Sequence, residues 1–131
     1  MDDDALRNFL GPLEREAMQT IWDADGTSTV QDVLDVLNQS RAKPLAYTTV
    51  MSVLVRLTRK GFLERRRDGR AYDYWPVTDP PGAVRKEVSA HARELLDDYG
   101  ELALSGFIDG IADDPDMLAT LQRIIDERES S

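Results

Sequence analysis

Four arginines crowd one short stretch, Arg65-Arg66-Arg67-Asp68-Gly69-Arg70. Just before it lies a segment whose polar positions are Thr48, Thr49, Ser52, Arg56 and Arg59. Guanidinium groups fork onto phosphates or guanine edges, hydroxyls bond base edges or phosphates, and aliphatic methyls touch thymine. These residue types can hold a polyanion; none of them makes a nucleophile with its base. Residues 41–70 carry nine of the chain's 16 Lys and Arg (Arg41, Lys43, Arg56, Arg59, Lys60, Arg65, Arg66, Arg67 and Arg70) against two acids, Glu64 and Asp68. A window of net +7 inside a chain of net −9 is the charge footprint expected of a nucleic-acid site.

Two elements must position these groups. Val50, Leu54 and Leu57, with Val53 beside them, form one apolar stripe at helical period. At about 100° per residue, Thr48, Ser52, Val55 and Arg59 face the other way, flanked by Thr49 and Arg56. Lys60-Gly61 closes this helix, with Gly suited to a left-handed cap. Phe62 to Arg67 and Arg70 to Trp75 read as strands about Asp68-Gly69, the dipeptide of a type I′ hairpin. Tyr72 and Tyr74 then share the face toward the core, with base stacking as the alternative. A helix followed by a basic hairpin is a winged helix-turn-helix, whose second helix enters the major groove.

Lys43 in the preceding turn and Tyr47 at the helix start join the candidate DNA contacts. Base readout falls to Thr48, Thr49, Ser52 and Val55. Arg56, Arg59, Arg65, Arg66, Arg67 and Arg70 hold phosphate, which sets register rather than sequence. For Arg56, a structural pairing with a nearby acid stays open beside the phosphate role.

The 131 residues suit one domain with an extension and are enough to bury a core. Residues 1–9 read as a frayed acidic start. Gly11-Pro12 opens a helix whose apolar face holds Leu10, Leu13, Ala17, Met18, Ile21 and Trp22. Thr29 with Asp32 caps a second helix carrying Val30, Val33, Leu34 and Leu37. Asn38 to Pro44 is the turn. The division expected is 1–77, a winged-helix domain, and 78–131, a helical dimerisation domain. Residues 76–131 carry 5 basic and 13 acidic side chains, so most of the acidity lies there. Thr78 or Asp79 caps a helix over Ala83–Tyr99 with Val84, Val88, Ala92, Leu95 and Leu96 on one stripe. Leu102, Leu104, Phe107, Ile108 and Ile111 mark the next helix, and Met117, Leu118, Leu121, Ile124 and Ile125 the last. Three short amphipathic helices bury little alone, so their stripes are expected to pack on a second copy.

Leu10-Gly-Pro-Leu-Glu-Arg-Glu-Ala-Met-Gln-Thr-Ile-Trp22, then Ala46-Tyr-Thr-Thr-Val50, Arg56-Leu57 followed by Arg59-Lys-Gly-Phe-Leu63, and Asp68-Gly-Arg-Ala-Tyr-Asp-Tyr-Trp-Pro76, resemble the penicillinase-repressor family of bacterial regulators. The acidic helical tail extends the resemblance over nearly the whole chain. It implies a homodimer that binds double-stranded operator DNA through winged helices. It also implies a membrane-bound sensor protease as partner, whose signal leads to a cut in the dimerisation region. The best-known members carry Asn-Phe there, whereas this chain reads Ser105-Gly106-Phe107.

Other chemistries find no motif. The chain lacks Cys, so it offers no disulfide and no thiolate metal site, and the copper-sensing route of some related repressors is closed. No P-loop, GxSxG, HExxH or dinucleotide fingerprint occurs, so no catalytic residue, metal or cofactor is assigned. His91 reads as a surface or interface residue, and Asp97-Asp98 and Asp113-Asp114-Asp116 as helix-end acids. The N-terminus has no basic and apolar leader pattern, and no apolar run reaches the roughly 18 residues of a membrane helix. A cytoplasmic location is expected. A protein-binding winged helix without specific DNA recognition is the alternative, distinguished by lost nucleic-acid affinity at low salt.

Overall fold

Apolar side chains spaced three and four residues apart build the first half of the chain. The computed structural model describes residues 2–131. Helix α1 (Asp2–Leu6) leads into α2 (Pro12–Asp23), α3 (Val30–Asn38) and α4 (Tyr47–Arg59). The hairpin β1 (Leu63–Asp68) and β2 (Ala71–Pro76) follows. Then come α5 (Pro80–Tyr99), α6 (Glu101–Ile111) and α7 (Pro115–Glu129). The architecture is mainly helical with one small antiparallel hairpin, a winged helix-turn-helix with further helices after it.

The core joins Ala17, Met18 and Ile21 of α2, Val33 and Leu37 of α3, Val50, Val53, Leu54 and Leu57 of α4, and Leu63 and Tyr74 of the hairpin. The N-terminal expectation needs correction. Leu6 is buried in this core, so the segment read as frayed holds a helical turn against it, while Leu10 is buried as its place on the apolar face requires. Thr29 caps α3 as expected: its Oγ1 accepts from the Asp32 N–H at 3.1 Å, and its own N–H donates to Asp32 Oδ2 at 2.9 Å.

The hairpin differs from its sequence signature. The strands lie one residue later, and Asp68 pairs with Ala71, leaving Gly69-Arg70 as the loop. Gly69 has φ +65°, while neither Asp68 nor Arg70 has a positive φ. A positive φ at the first loop residue alone marks a type II′ turn, not the type I′ turn expected. In this register Leu63 and Tyr74 point inward together, on the buried face of the hairpin. The hairpin also has an unforeseen partner. Ser28 and Tyr74 exchange two backbone hydrogen bonds, both 2.8 Å, forming a bridge beside β2.

The first compact unit runs to Glu87 and the second covers Val88–Ser131. Their boundary lies inside α5. Helix α5 starts three residues earlier than its stripe suggests, since Pro80 and Pro81 occupy a first turn that needs no N–H donors. Asp79 is the cap: its Oδ1 accepts from the Gly82 N–H at 2.9 Å. Ala83 is buried in the first unit's core and Val84 packs against it. In the second unit no residue is fully buried; Val88, Leu95, Leu102, Phe107, Ile108, Leu118 and Ile125 are exposed, while Leu96 and Leu121 are half-buried. No helix among the described residues is long and apolar enough to cross a membrane.

Candidate nucleic-acid interface

The four inward side chains of α4 leave its other face outside the core. Thr48, Thr49, Ser52, Arg56 and Arg59 are exposed there, Tyr47 stands exposed at the first turn, and Val55 is half-buried. Met51, exposed on the flank, was not singled out because it falls between the apolar and polar arcs. Helical Ser and Thr often spend their hydroxyl on the carbonyl one turn back. Thr58 does so, donating to the Leu54 carbonyl at 2.8 Å, and Thr20 does so on Glu16 at 2.9 Å. Among the described residues, Thr48, Thr49 and Ser52 make no such bond. Their hydroxyls are open to an outside partner.

The turn before α4 is held by Asn38. Its Nδ2 donates to the Leu45 carbonyl at 3.2 Å, and its Oδ1 accepts from the Leu45 N–H at 2.8 Å. This clamp carries the chain across the residues between α3 and α4, where Lys43 is exposed. Nothing in the local pattern of Asn38 distinguishes it from an ordinary turn residue.

Register divides the wing arginines. Arg65 lies opposite Tyr74 and Arg67 opposite Tyr72, on the face that includes buried Leu63. Arg66 lies opposite Asp73, on the face with Glu64 and Trp75, whose Nε1 donates to Glu64 Oε2 at 2.9 Å. Arg70 is exposed in the loop. Arg65 is held in place: its Cζ sits 4.2 Å from the centre of the Tyr72 ring, and its Nη1 reaches the Tyr74 hydroxyl at 3.5 Å. The contact with Tyr74 pushes the guanidinium's pKa further up. Arg67 Nε donates to the Gly69 carbonyl at 3.0 Å and so braces the turn.

Three cations of the basic window are committed to acids. Arg41 Nη2 meets Glu16 Oε2 at 2.8 Å. Arg56 Nε lies 3.2 Å from Glu14 Oε2, and Lys60 Nζ 2.9 Å from the same oxygen. Glu14 also accepts from the Gly11 N–H at 3.0 Å, capping α2. Burial by itself pushes this carboxyl up; the Gly11, Lys60 and Arg56 hydrogen bonds outweigh it and hold it below the ordinary value. The stability this adds is therefore complete above the ordinary carboxylate pKa and is lost as pH falls through the lowered one.

A basic hairpin beside a helix with open hydroxyls, both set on one helical core, defines the winged-helix class of protein. The chain belongs to the penicillinase repressor family, which it matches over residues 10–127. That family consists of transcriptional regulators, not enzymes. Over 68 residues the chain is 46% identical to the transcriptional regulator BlaI of Mycobacterium tuberculosis, a match spanning 52% of this chain and 48% of that protein. The chain thus spans about half the length of the curated relatives it matches. The solution structure of the DNA-binding domain of the repressor BlaI is 27% identical, covering 54% of this chain and 83% of that one, with a TM-score of 0.47. The transcriptional regulator Tm0710 from Thermotoga maritima, 21% identical with a TM-score of 0.50, covers 93% of this chain and 84% of its own. It shares the fold.

Proposed function

We propose that this chain is a homodimeric repressor that binds double-stranded operator DNA, reading bases with α4 and gripping the backbone with the wing. The observation that carries this reading is the set of three unspent hydroxyls, Thr48, Thr49 and Ser52, on the exposed face of a helix followed by an arginine-tipped hairpin. An interface built for phosphate alone would need only charge; open hydroxyls at successive turns supply directional donors and acceptors for base edges. The dimer reading is supported by the second unit, whose apolar side chains are left largely uncovered along α5, α6 and α7. A second copy presents the same stripes and closes the assembly by two-fold symmetry. Such a dimer takes a pseudo-palindrome with half-sites about one helical turn, or a multiple of it, apart.

The test separates wing from helix. Sites are first selected from random duplexes, and variants are then titrated on the selected site and on random DNA. Arg66→Ala or Arg67→Ala weakens both by similar factors and lowers the salt slope by about 1. Ser52→Ala or Thr48→Ala changes preference at one base pair by about 1–3 kcal/mol. If the wing variants alter sequence preference while the helix variants do not, the roles are reversed.

A further inference from the structure

Glu14 is the one charged side chain that is buried among the described residues. Capping α2 needs only its bond to the Gly11 N–H. The carboxylate nevertheless also holds Arg56 and Lys60, which arrive from the far end of α4. Both cations keep substantial exposure, 50% and 39% of their side chains, on the flank of α4 beside its hydroxyl-bearing face. A duplex docked on that face brings its backbone close to such a flank. For either cation to move onto phosphate, it must leave a buried carboxylate with less compensation than it has now, and that opposes the move.

We propose that Glu14 is a positioning residue, which withholds Arg56 and Lys60 from the DNA backbone and so limits how many phosphates the α4 flank can grip. The proposal rests on the DNA-binding reading above. It gives Glu14 a role beyond capping, and it removes two of the basic window's cations from the phosphate grip.

The substitution Glu14→Gln keeps the side chain's shape and an oxygen for the Gly11 N–H, but frees both cations. In the full chain, affinity for random duplex then rises about tenfold, and the plot of log affinity against log salt steepens by about 0.9 for each cation released. Affinity for the selected site rises by a similar factor, because phosphate contacts are blind to sequence. Adding Lys60→Gln to Glu14→Gln returns about half of the slope. A purely structural Glu14 predicts weaker binding to both duplexes at unchanged slope, and that result overturns the proposal. Lys60→Gln alone leaves Glu14 with Arg56 and Gly11, so it tests the idea even if Glu14→Gln does not fold. Its slope and random-duplex affinity stay at those of the unsubstituted chain; a loss of about 0.9 in slope places Lys60 on phosphate and overturns the proposal. If the unsubstituted chain binds no duplex at low salt, it is the DNA reading itself that fails.

Discussion

Affinity for duplex DNA falls by about 10³–10⁵ between 50 and 200 mM salt, the drop that about 6–10 phosphate contacts per dimer produce. The basic window of net +7 motivates this figure, and the pairing of its side chains refines it. Arg41, Arg56 and Lys60 are held by Glu16 and Glu14. Arg65 lies on Tyr72. Lys43, Arg59, Arg66, Arg67 and Arg70 are exposed and have no acid partner among the described residues. Two copies of that set suffice for the upper end of the range. Titration by fluorescence anisotropy at several salt concentrations measures the slope. A nearly flat dependence would falsify the phosphate grip and favour a protein-binding winged helix.

Removing the chain beyond Gly100 abolishes tight operator binding, with a loss of about 10²–10⁴ in affinity. Two linked winged helices engage as one ligand because the second contact is intramolecular, and linkage alone contributes gains of that size. The truncation deletes α6 and α7, and with them the exposed Leu102, Phe107, Ile108, Leu118 and Ile125. What remains of the proposed dimer surface is Val88, Leu95 and Leu96 on α5, because Val84 is already packed against the winged-helix core. The first unit keeps its own core and survives as a weak, monomeric binder. A single cut within α6 has the same effect, so proteolysis there could end repression although Ser105-Gly106-Phe107 lacks the family's Asn-Phe pair. Light scattering and operator titration of the truncated and full chains decide the matter. A truncated chain that stays dimeric with undiminished affinity removes the second unit from the dimer and the switch with it.

The parts legible in the sequence are those governed by near neighbours. The stripe of Val50, Val53, Leu54 and Leu57, the Thr29–Asp32 cap and the closing Gly61 depend on residues within a few positions, and each stands where its pattern placed it. The misreadings arise where distant groups decide. Asp68-Gly69 carries a strong turn signature, yet Asp68 pairs with Ala71 and the turn falls on Gly69-Arg70, in a hairpin whose Tyr74 is bridged to the distant Ser28. The opening acids suggested a solvated tail, whereas Leu6 finds a core made mostly by later helices. The pairing of Glu14 leaves no local signal, because its cations lie 42 and 46 residues on. For the interface, the exposed hydroxyls of α4 were legible from the helical wheel. The division of Arg65, Arg66 and Arg67 between two faces needed the strand pairing.

The bridge between Ser28 and Tyr74 bears on how quickly a duplex can be engaged. A free two-stranded ribbon is marginally stable in water and would have to be ordered at the moment of encounter. Here the base of the ribbon is stitched to the loop between α2 and α3 by two 2.8 Å bonds, and Tyr74 is sealed in the core. The loss of conformational freedom therefore falls on folding of the polypeptide, before any duplex arrives. Each collision then meets a ribbon whose base is already ordered, and fewer collisions are wasted while the ribbon finds its shape.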